Sequence, residues 1–360
     1  MKDENTQQEQ YDSTRRSFIR NTVGLGAGLL AGTSLLSLQG CASPARGQAG
    51  KICLSDECLL SGTAAAGVKL EVYDRRFHKL VGKSLQLDTI FDKATWAEGP
   101  AWLKNRQTLI FSDVKKNVMY QWNEKDGVRI FRSPSNFANG NAVDPQGNLI
   151  TAEHGRRGIS RTDAVSGKVT LLVDKLEGKR LNSPNAVAVR SDGTIWFSDP
   201  PYGILSNDEG KKAPSEIVGC YIYCYNPATD KINIATFNVM RPNGLAFSPD
   251  EKTLYAADMS SVEFKENGLH ELVAFDVEGT RLNNRRLVAE INPGIPDGLA
   301  VNRKGVIFCS SDNGLIALLP DGTELGRIIL GKTTSNCTFG NDDQTMFITA
   351  GNSVYRLKLS

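Results

Sequence analysis

The stretch Arg241-Pro-Asn-Gly-Leu-Ala-Phe-Ser-Pro-Asp-Glu-Lys-Thr-Leu-Tyr-Ala-Ala-Asp258 decides how the rest of the chain is read. Polar Asn243 precedes a short apolar strand, a Pro-Asp turn follows, and a second strand ends at Asp258. Ser183-Pro-Asn-Ala-Val-Ala-Val-Arg-Ser-Asp-Gly-Thr-Ile-Trp-Phe-Ser-Asp199 has the same plan, as does Ile295-Pro-Asp-Gly-Leu-Ala-Val-Asn-Arg-Lys-Gly-Val-Ile-Phe-Cys309. Copies at a fixed period mean that one small unit is repeated, and that unit sets the fold.

Aligned on the central turn, six copies emerge, beginning at Glu98, Asn139, Asn185, Asn243, Asp297 and Asn336. Their five intervals average about 48 residues, the length of a four-stranded propeller blade. Period-two alternation dominates from residue 67 onward, Asp192-Gly193 and Asp321-Gly322 mark turns, and no amphipathic helix of convincing length intervenes. The expected fold is all-β: a six-bladed β-propeller of four-stranded blades around a central axial channel, over residues 67–360. The strand at Val68–Tyr73 is expected to complete the last blade beside Ser353-Val-Tyr-Arg-Leu-Lys358, leaving no long free edge.

The 360 residues are 40% hydrophobic and 23% charged with 34 glycines, the composition of a turn-rich globular protein. A formal charge of +2 gives no reason to expect nucleic acid. No apolar run reaches the ~18 residues that span a bilayer. Residues 1–41 read as a targeting segment. Thr14-Arg-Arg-Ser-Phe-Ile-Arg20 resembles a twin-arginine export signal, and a mildly apolar, Gly-rich stretch runs from Val23 to Leu38. Leu38-Gln-Gly-Cys41 resembles a lipobox, so Cys41 would carry lipid; plain cleavage after Ala42 or Ala45 is the alternative. Residues 42–66 are small and polar, as in a tether. A folded, exported, periplasmic protein is expected, touching membrane only through such an anchor, and a monomer.

Cys53 and Cys58 could bridge locally in an oxidising compartment. Cys220 and Cys224 lie in one strand-like run, where four residues span ~13 Å, too far for a disulfide. Cys309 and Cys337 fall in apolar strands and read as free buried thiols.

Rotation about a propeller axis turns the aligned first position into a ring at one channel mouth. All six of its residues carry a side-chain oxygen. Asn and Asp also start turns by bonding their own backbone, which does not account for Glu98. The alternative is a hard-cation site: Ca²⁺ accepts six to eight oxygens from carboxylates, amides and water. The lack of Cys and His in the ring argues against a structural zinc centre.

Trp96-Ala-Glu-Gly-Pro-Ala-Trp102, Leu181-Asn-Ser-Pro-Asn185, Phe197-Ser-Asp-Pro-Pro-Tyr-Gly203, Arg241-Pro-Asn-Gly-Leu-Ala-Phe-Ser-Pro-Asp250 and Pro296-Asp-Gly-Leu-Ala300 resemble the gluconolactonase branch of the senescence-marker-protein/gluconolactonase/luciferin-regenerating-enzyme-like family. The resemblance implies a propeller that binds one divalent cation on its axis, most naturally Ca²⁺, with Mg²⁺, Mn²⁺ or Zn²⁺ as other candidates. Carried over, the metal ligands would be Glu98, Asn185, Asn243 and Asp297, with Asn139 and Asn336 behind them or facing substrate. The family commonly has Asp after the third-blade Asn; here it is Ala186. The implied activity is hydrolysis of a sugar lactone, with Asp297 as general base.

Other residues have two readings each. His154 is either a catalytic group or a structural histidine at a strand end. Arg156 and Arg157 either bind a sugar-acid carboxylate or are solvated surface residues. Asn185 and Tyr202 are further substrate-binding candidates, Tyr202 within a polar excursion over 200–219 that could cap the mouth as a lid. Gly326-Arg-Ile-Ile-Leu-Gly-Lys-Thr333 has phosphate-loop spacing but an apolar β-branched middle and no following helix, and is taken as chance. No Gly-x-Ser-x-Gly elbow or His-Glu-x-x-His is present. A propeller that binds a sugar or protein partner at the mouth without catalysis is the competing function.

Overall fold

The computed structural model describes residues 68–82 and 85–359. The expected signal, lipobox and linker, with Cys41, Cys53 and Cys58, lie outside the described residues. Among the described residues six antiparallel blade sheets follow one another, five of four strands and one of five, with a small two-stranded hairpin at Lys175–Leu176 and Lys179–Arg180. Blade one is built from Ala97–Leu103, Thr108–Asp113, Val118–Asn123 and Gly127–Arg132, paired in sequence order. The innermost strands of the other blades are Ala138–Val143, Val187–Val189, Pro242–Phe247, Leu299–Val301 and Thr334–Phe339. Each innermost strand packs against that of the next blade, and the sixth packs against the first. The ring is closed, and the chain is a six-bladed β-propeller.

Alternation along each strand sends apolar side chains to both faces of a blade, and every blade-to-blade interface has its own core. Trp196 and Ile222 of blade three meet Leu254, Val273 and Phe275 of blade four. Phe347 and Val354 of blade six meet Leu109, Phe111 and Trp122 of blade one. Burying a side chain of this size contributes about 1.5–3 kcal/mol, so each interface is held mainly by apolar area. Cys224, Cys309 and Cys337 are buried free thiols within these layers, so Cys220 and Cys224 form no disulfide with each other.

Closure differs from the expectation in one respect. Lys69–Val72 does not join the last blade; it pairs with Glu324–Ile329 as a fifth strand on blade five. The partner of Ser353–Lys358 is Gln86–Phe91. The helix Arg75–Val81 joins the two strands, capped by Asp74, whose side chain accepts from the Arg76 amide. Phe77 and Val81, one turn apart, are fully buried between blades five and six, beside Leu325, Ile328 and Leu357. The helix fills the seam between those blades, so the strand before it lands on one and the strand after it on the other.

Candidate functional site

The six aligned polar residues lie at the start of, or just before, the innermost strands, so they share one end of the axis. Glu98, Asn139, Asn185 and Asn243 are buried, while Asp297 and Asn336 are half-buried. A glycine follows four of the six, and close approach between blades requires it. A Cβ on Gly99, Gly140 or Gly244 would fall 2.0, 2.4 or 2.3 Å from the carbonyl oxygen of Asn139, Asn185 or Asp297. On Gly298 it would fall 2.1 Å from Asn336 Cγ. The Gly140 amide donates to the Asn185 carbonyl and the Gly244 amide to the Asp297 carbonyl, both at 2.9 Å. Blades one, two and four thereby meet the next blade's polar residue through its main chain.

The second strand of a blade supplies a further restraint. Its terminal aspartate accepts from the main chain that leads into the ring. Asp113 takes the amides of Thr95 and Trp96, Asp199 that of Asn182, and Asp258 those of Met240 and Arg241. These carboxylates are fully buried and hold the segments carrying Glu98, Asn185 and Asn243. The signal for them was present in the repeat, as Phe111-Ser-Asp113, Phe197-Ser-Asp199 and Ala257-Asp258.

Within the ring, the Glu98 and Asp297 carboxyls lie close enough to bear on one another's charge. Glu98 Oε2 also accepts from the Gly99 amide at 2.9 Å and from Asn336 Nδ2 at 3.4 Å. Burial pushes the Glu98 carboxyl up to about 7 against these hydrogen bonds. Burial first, then the charge of Glu98, hold Asp297 well above the usual carboxylate range, with the Asn243 side chain acting in the opposite direction. Two neighbouring carboxylates, one of them buried, cannot both ionise cheaply without a cation.

The donor set fits a hard divalent cation. Glu98 and Asp297 would balance its charge, and Asn185 and Asn243 would add amide oxygens. Among the described residues no group of three or more His, Cys, Asp or Glu could hold a metal, so such an ion depends on the amides. Ala186 is buried where the family pattern has a carboxylate, which leaves Glu98 and Asp297 as the ring's acidic pair.

His154, at the end of the second strand of blade two, is fully buried. Its Nδ1 lies 2.8 Å from the Glu209 carbonyl oxygen, and its Nε2 lies 3.4 Å from Asn139 Nδ2. A carbonyl only accepts, so Nδ1 carries the proton and Nε2 presents a lone pair. Burial lowers the imidazole to about 4 and keeps it neutral. The excursion over 200–219 therefore does reach the site. Gly203 packs on the His154 ring, and the Glu209 carboxylate pairs with Lys115 of blade one at 3.5 Å. The charge of Glu209 also bears on Glu98 and Asp297. Glu209 and Lys115 escaped sequence reasoning because neither belongs to the repeat.

Tyr202 Oη is buried without a hydrogen-bond partner, within the electrostatic reach of Asp297 and Arg241. Arg156 Nε is 3.4 Å from Glu153 Oε2, which engages its guanidinium at the blade-two turn. Arg157 is not a surface residue: its side chain is 8% exposed. Below the ring, a cavity of about 590 Å³ follows the axis, from Gly140, Ala186, Gly244 and Asn336 toward Val143, Val189 and Phe339.

Residues 96–352 match the SMP-30/gluconolactonase/LRE-like region. The chain belongs to that family. It is 32% identical over 314 residues to the gluconolactonase of Zymomonas mobilis, covering 81% of this chain and 86% of that protein. The solved structure of a gluconolactonase from Xanthomonas campestris aligns with a TM-score of 0.76 at 38% identity, over 81% of this chain and 94% of the other. A regucalcin from Agrobacterium tumefaciens, described as a calcium-binding protein, shares the fold with a TM-score of 0.60 at 17% identity, over 75% and 92%.

Proposed function

We propose that this chain hydrolyses sugar lactones of the gluconolactone type, with one divalent cation, Ca²⁺ in the first instance, at the axial ring. The observation that carries the reading is the Glu98–Asp297 pair, in one ring with Asn243 and Asn185, in a chain similar to gluconolactonases. Opening a lactone requires a polarised carbonyl, a delivered water and a protonated leaving alkoxide. A bound cation would supply Lewis acidity at the carbonyl and lower the pKa of a bound water.

The chain's own groups do the rest. Asp297 is assigned as general base, at the point where burial and Glu98 keep its proton affinity high. Neutral His154 holds Asn139 through Nε2 and is a proton acceptor on the same side of the mouth. Asn139, Asn185 and Tyr202 are assigned to the lactone's hydroxyls, and the excursion over 200–219 to excluding bulk water. Arg156 is assigned to the rim, where substrate would compete with Glu153 for its guanidinium.

The test is acid release from a panel of sugar lactones, with and without chelator. Acceleration over spontaneous hydrolysis that chelator abolishes and Ca²⁺ restores is expected. No metal-dependent acceleration on any lactone would overturn the reading and favour a binding propeller. Asp297→Asn should lose activity with the fold intact.

A further inference from the structure

Arg157 is an anomaly in the blade-two turn. It is a non-glycine residue with φ of 57°, a conformation that L side chains rarely adopt. It points a guanidinium into protein rather than solvent, with 8% of the side chain exposed. Nε donates to the carbonyls of Leu181 and Asn182 at 2.6 and 3.1 Å. Both lie in the segment that leads through Ser183 and Pro184 to Asn185. From the other side, Asp199 Oδ2 accepts the Asn182 amide at 2.8 Å. Arg157 and Asp199 also attract each other, and each keeps one buried atom, Nη2 and Oδ1, with no hydrogen-bond partner.

The same short segment holds the excursion over the mouth. Ser183 Oγ donates to the Pro200 carbonyl at 2.6 Å and accepts from the Gly203 amide at 2.9 Å. Asn182 Oδ1 accepts from Ser215 Oγ at 2.5 Å, and its Nδ2 donates to the Gly219 carbonyl at 2.9 Å. Asp113 and Asp258 hold the equivalent segments of blades one and four through main-chain amides. Blade three adds an arginine from its neighbour.

We propose that Arg157 is a positioning residue that, with Asp199, clamps the 181–185 segment, and so orients Asn185 at the axis and docks the excursion over the mouth. It acts through the main chain on a group that it does not replace. Residues that orient a ligand set commonly govern affinity by ten- to a hundredfold. The proposal rests on the reading of the ring as the cation and lactone site.

The experiment compares the purified full chain with Arg157→Met, Arg157→Lys and Asp199→Asn. Arg190→Met serves as the control; Arg190 pairs with Asp192 and Glu251 at the opposite end of blade three. Three quantities are measured: the Kd for Ca²⁺ by calorimetry, kcat and KM on gluconolactone, and the rate of cutting at exposed Lys211 and Lys212 by a lysine-specific protease. For Arg157→Met the expected result is a Kd and KM raised about tenfold or more, kcat at saturating Ca²⁺ within about threefold, and faster cutting. Arg157→Lys should fall between Arg157→Met and the wild type.

A lower melting temperature with Kd, KM and cutting no different from Arg190→Met would overturn the proposal. If Arg157→Met does not fold, Arg157→Lys and Asp199→Asn decide by the same comparison. If the wild type neither binds Ca²⁺ nor opens lactones, the functional reading fails. The clamp is then decided by cutting alone: faster than in Arg190→Met supports it, equal overturns it.

Discussion

The carbonyl oxygen of Glu209 sits 2.8 Å from His154 Nδ1, which makes a loop residue of blade three the partner that sets the tautomer of a blade-two histidine. With its proton on Nδ1, the ring turns its lone pair toward Asn139 at the mouth. Positions 55 residues apart thus meet at the same channel mouth.

His154→Gln keeps a polar side chain and removes the imidazole acceptor beside Asn139. We expect kcat on a sugar lactone to fall by about 10²-fold, in the range ordinary for general acid–base groups. The same variant reads the buried imidazole through stability. The folded-state value of about 4 lies below the ordinary 6.5, so between them the unfolded chain binds a proton that the folded one does not. His154 therefore costs stability as pH falls from 6.5 toward 4, up to about 3 kcal/mol. Glu98 and Asp199 are shifted upward and slope the other way, so the measurement is the difference between wild type and variant. Denaturant titrations should show wild type losing stability relative to His154→Gln over that window.

Gly244→Ala tests how blades fix one another at the ring. Its Cβ would lie 2.3 Å from the Asp297 carbonyl oxygen, a contact that forces the two inner strands apart. The expected outcome is a loss of about 1–3 kcal/mol with weaker Ca²⁺ binding, seen by thermal melting and calorimetry. Gly279→Ala is the comparison, since nothing lies within 4 Å of its Cβ; its φ of 59° costs backbone strain without touching the ring.

Trp196→Ala tests the apolar seams. Trp196 is fully buried between blades three and four, stacked edge-on to Phe247 at 5.7 Å. Removing it should cost about 3–5 kcal/mol in urea unfolding while Ca²⁺ affinity of the folded fraction stays near wild type.

Replacement of Arg15 and Arg16 by Lys tests the expected export route. Unprocessed precursor should accumulate in the cytoplasm on fractionation of expressing cells, and normal processing would count against a twin-arginine signal.

How much was legible follows from what repeats. The period near 48 residues and the turn signals carried the blade number, because each blade is a local meander whose strands pair with sequence neighbours. The ring was legible for the same reason: Glu98, Asn139, Asn185, Asn243, Asp297 and Asn336 share one alignment position, and rotation about an axis brings such positions together. The buried aspartates 113, 199 and 258 were visible in the repeat too, but their task is main-chain restraint, which no single copy reveals.

What only the tertiary structure decided lies outside the repeat. Two strands compete for closure, and the choice between 69–72 and 86–91 is made by Phe77 and Val81 filling a seam over 200 residues away in sequence. Arg157 is a charged residue in a turn, which by itself reads as solvated; the next blade supplies the carbonyls that draw it inside. His154 is ambiguous by sequence because its tautomer depends on the carbonyl of Glu209, in an excursion of irregular backbone. Local pattern determines each blade and the rotation that relates them. Contacts between blades, each a pairing of distant segments, determine which polar groups are buried, and burial is what gives those groups their chemistry.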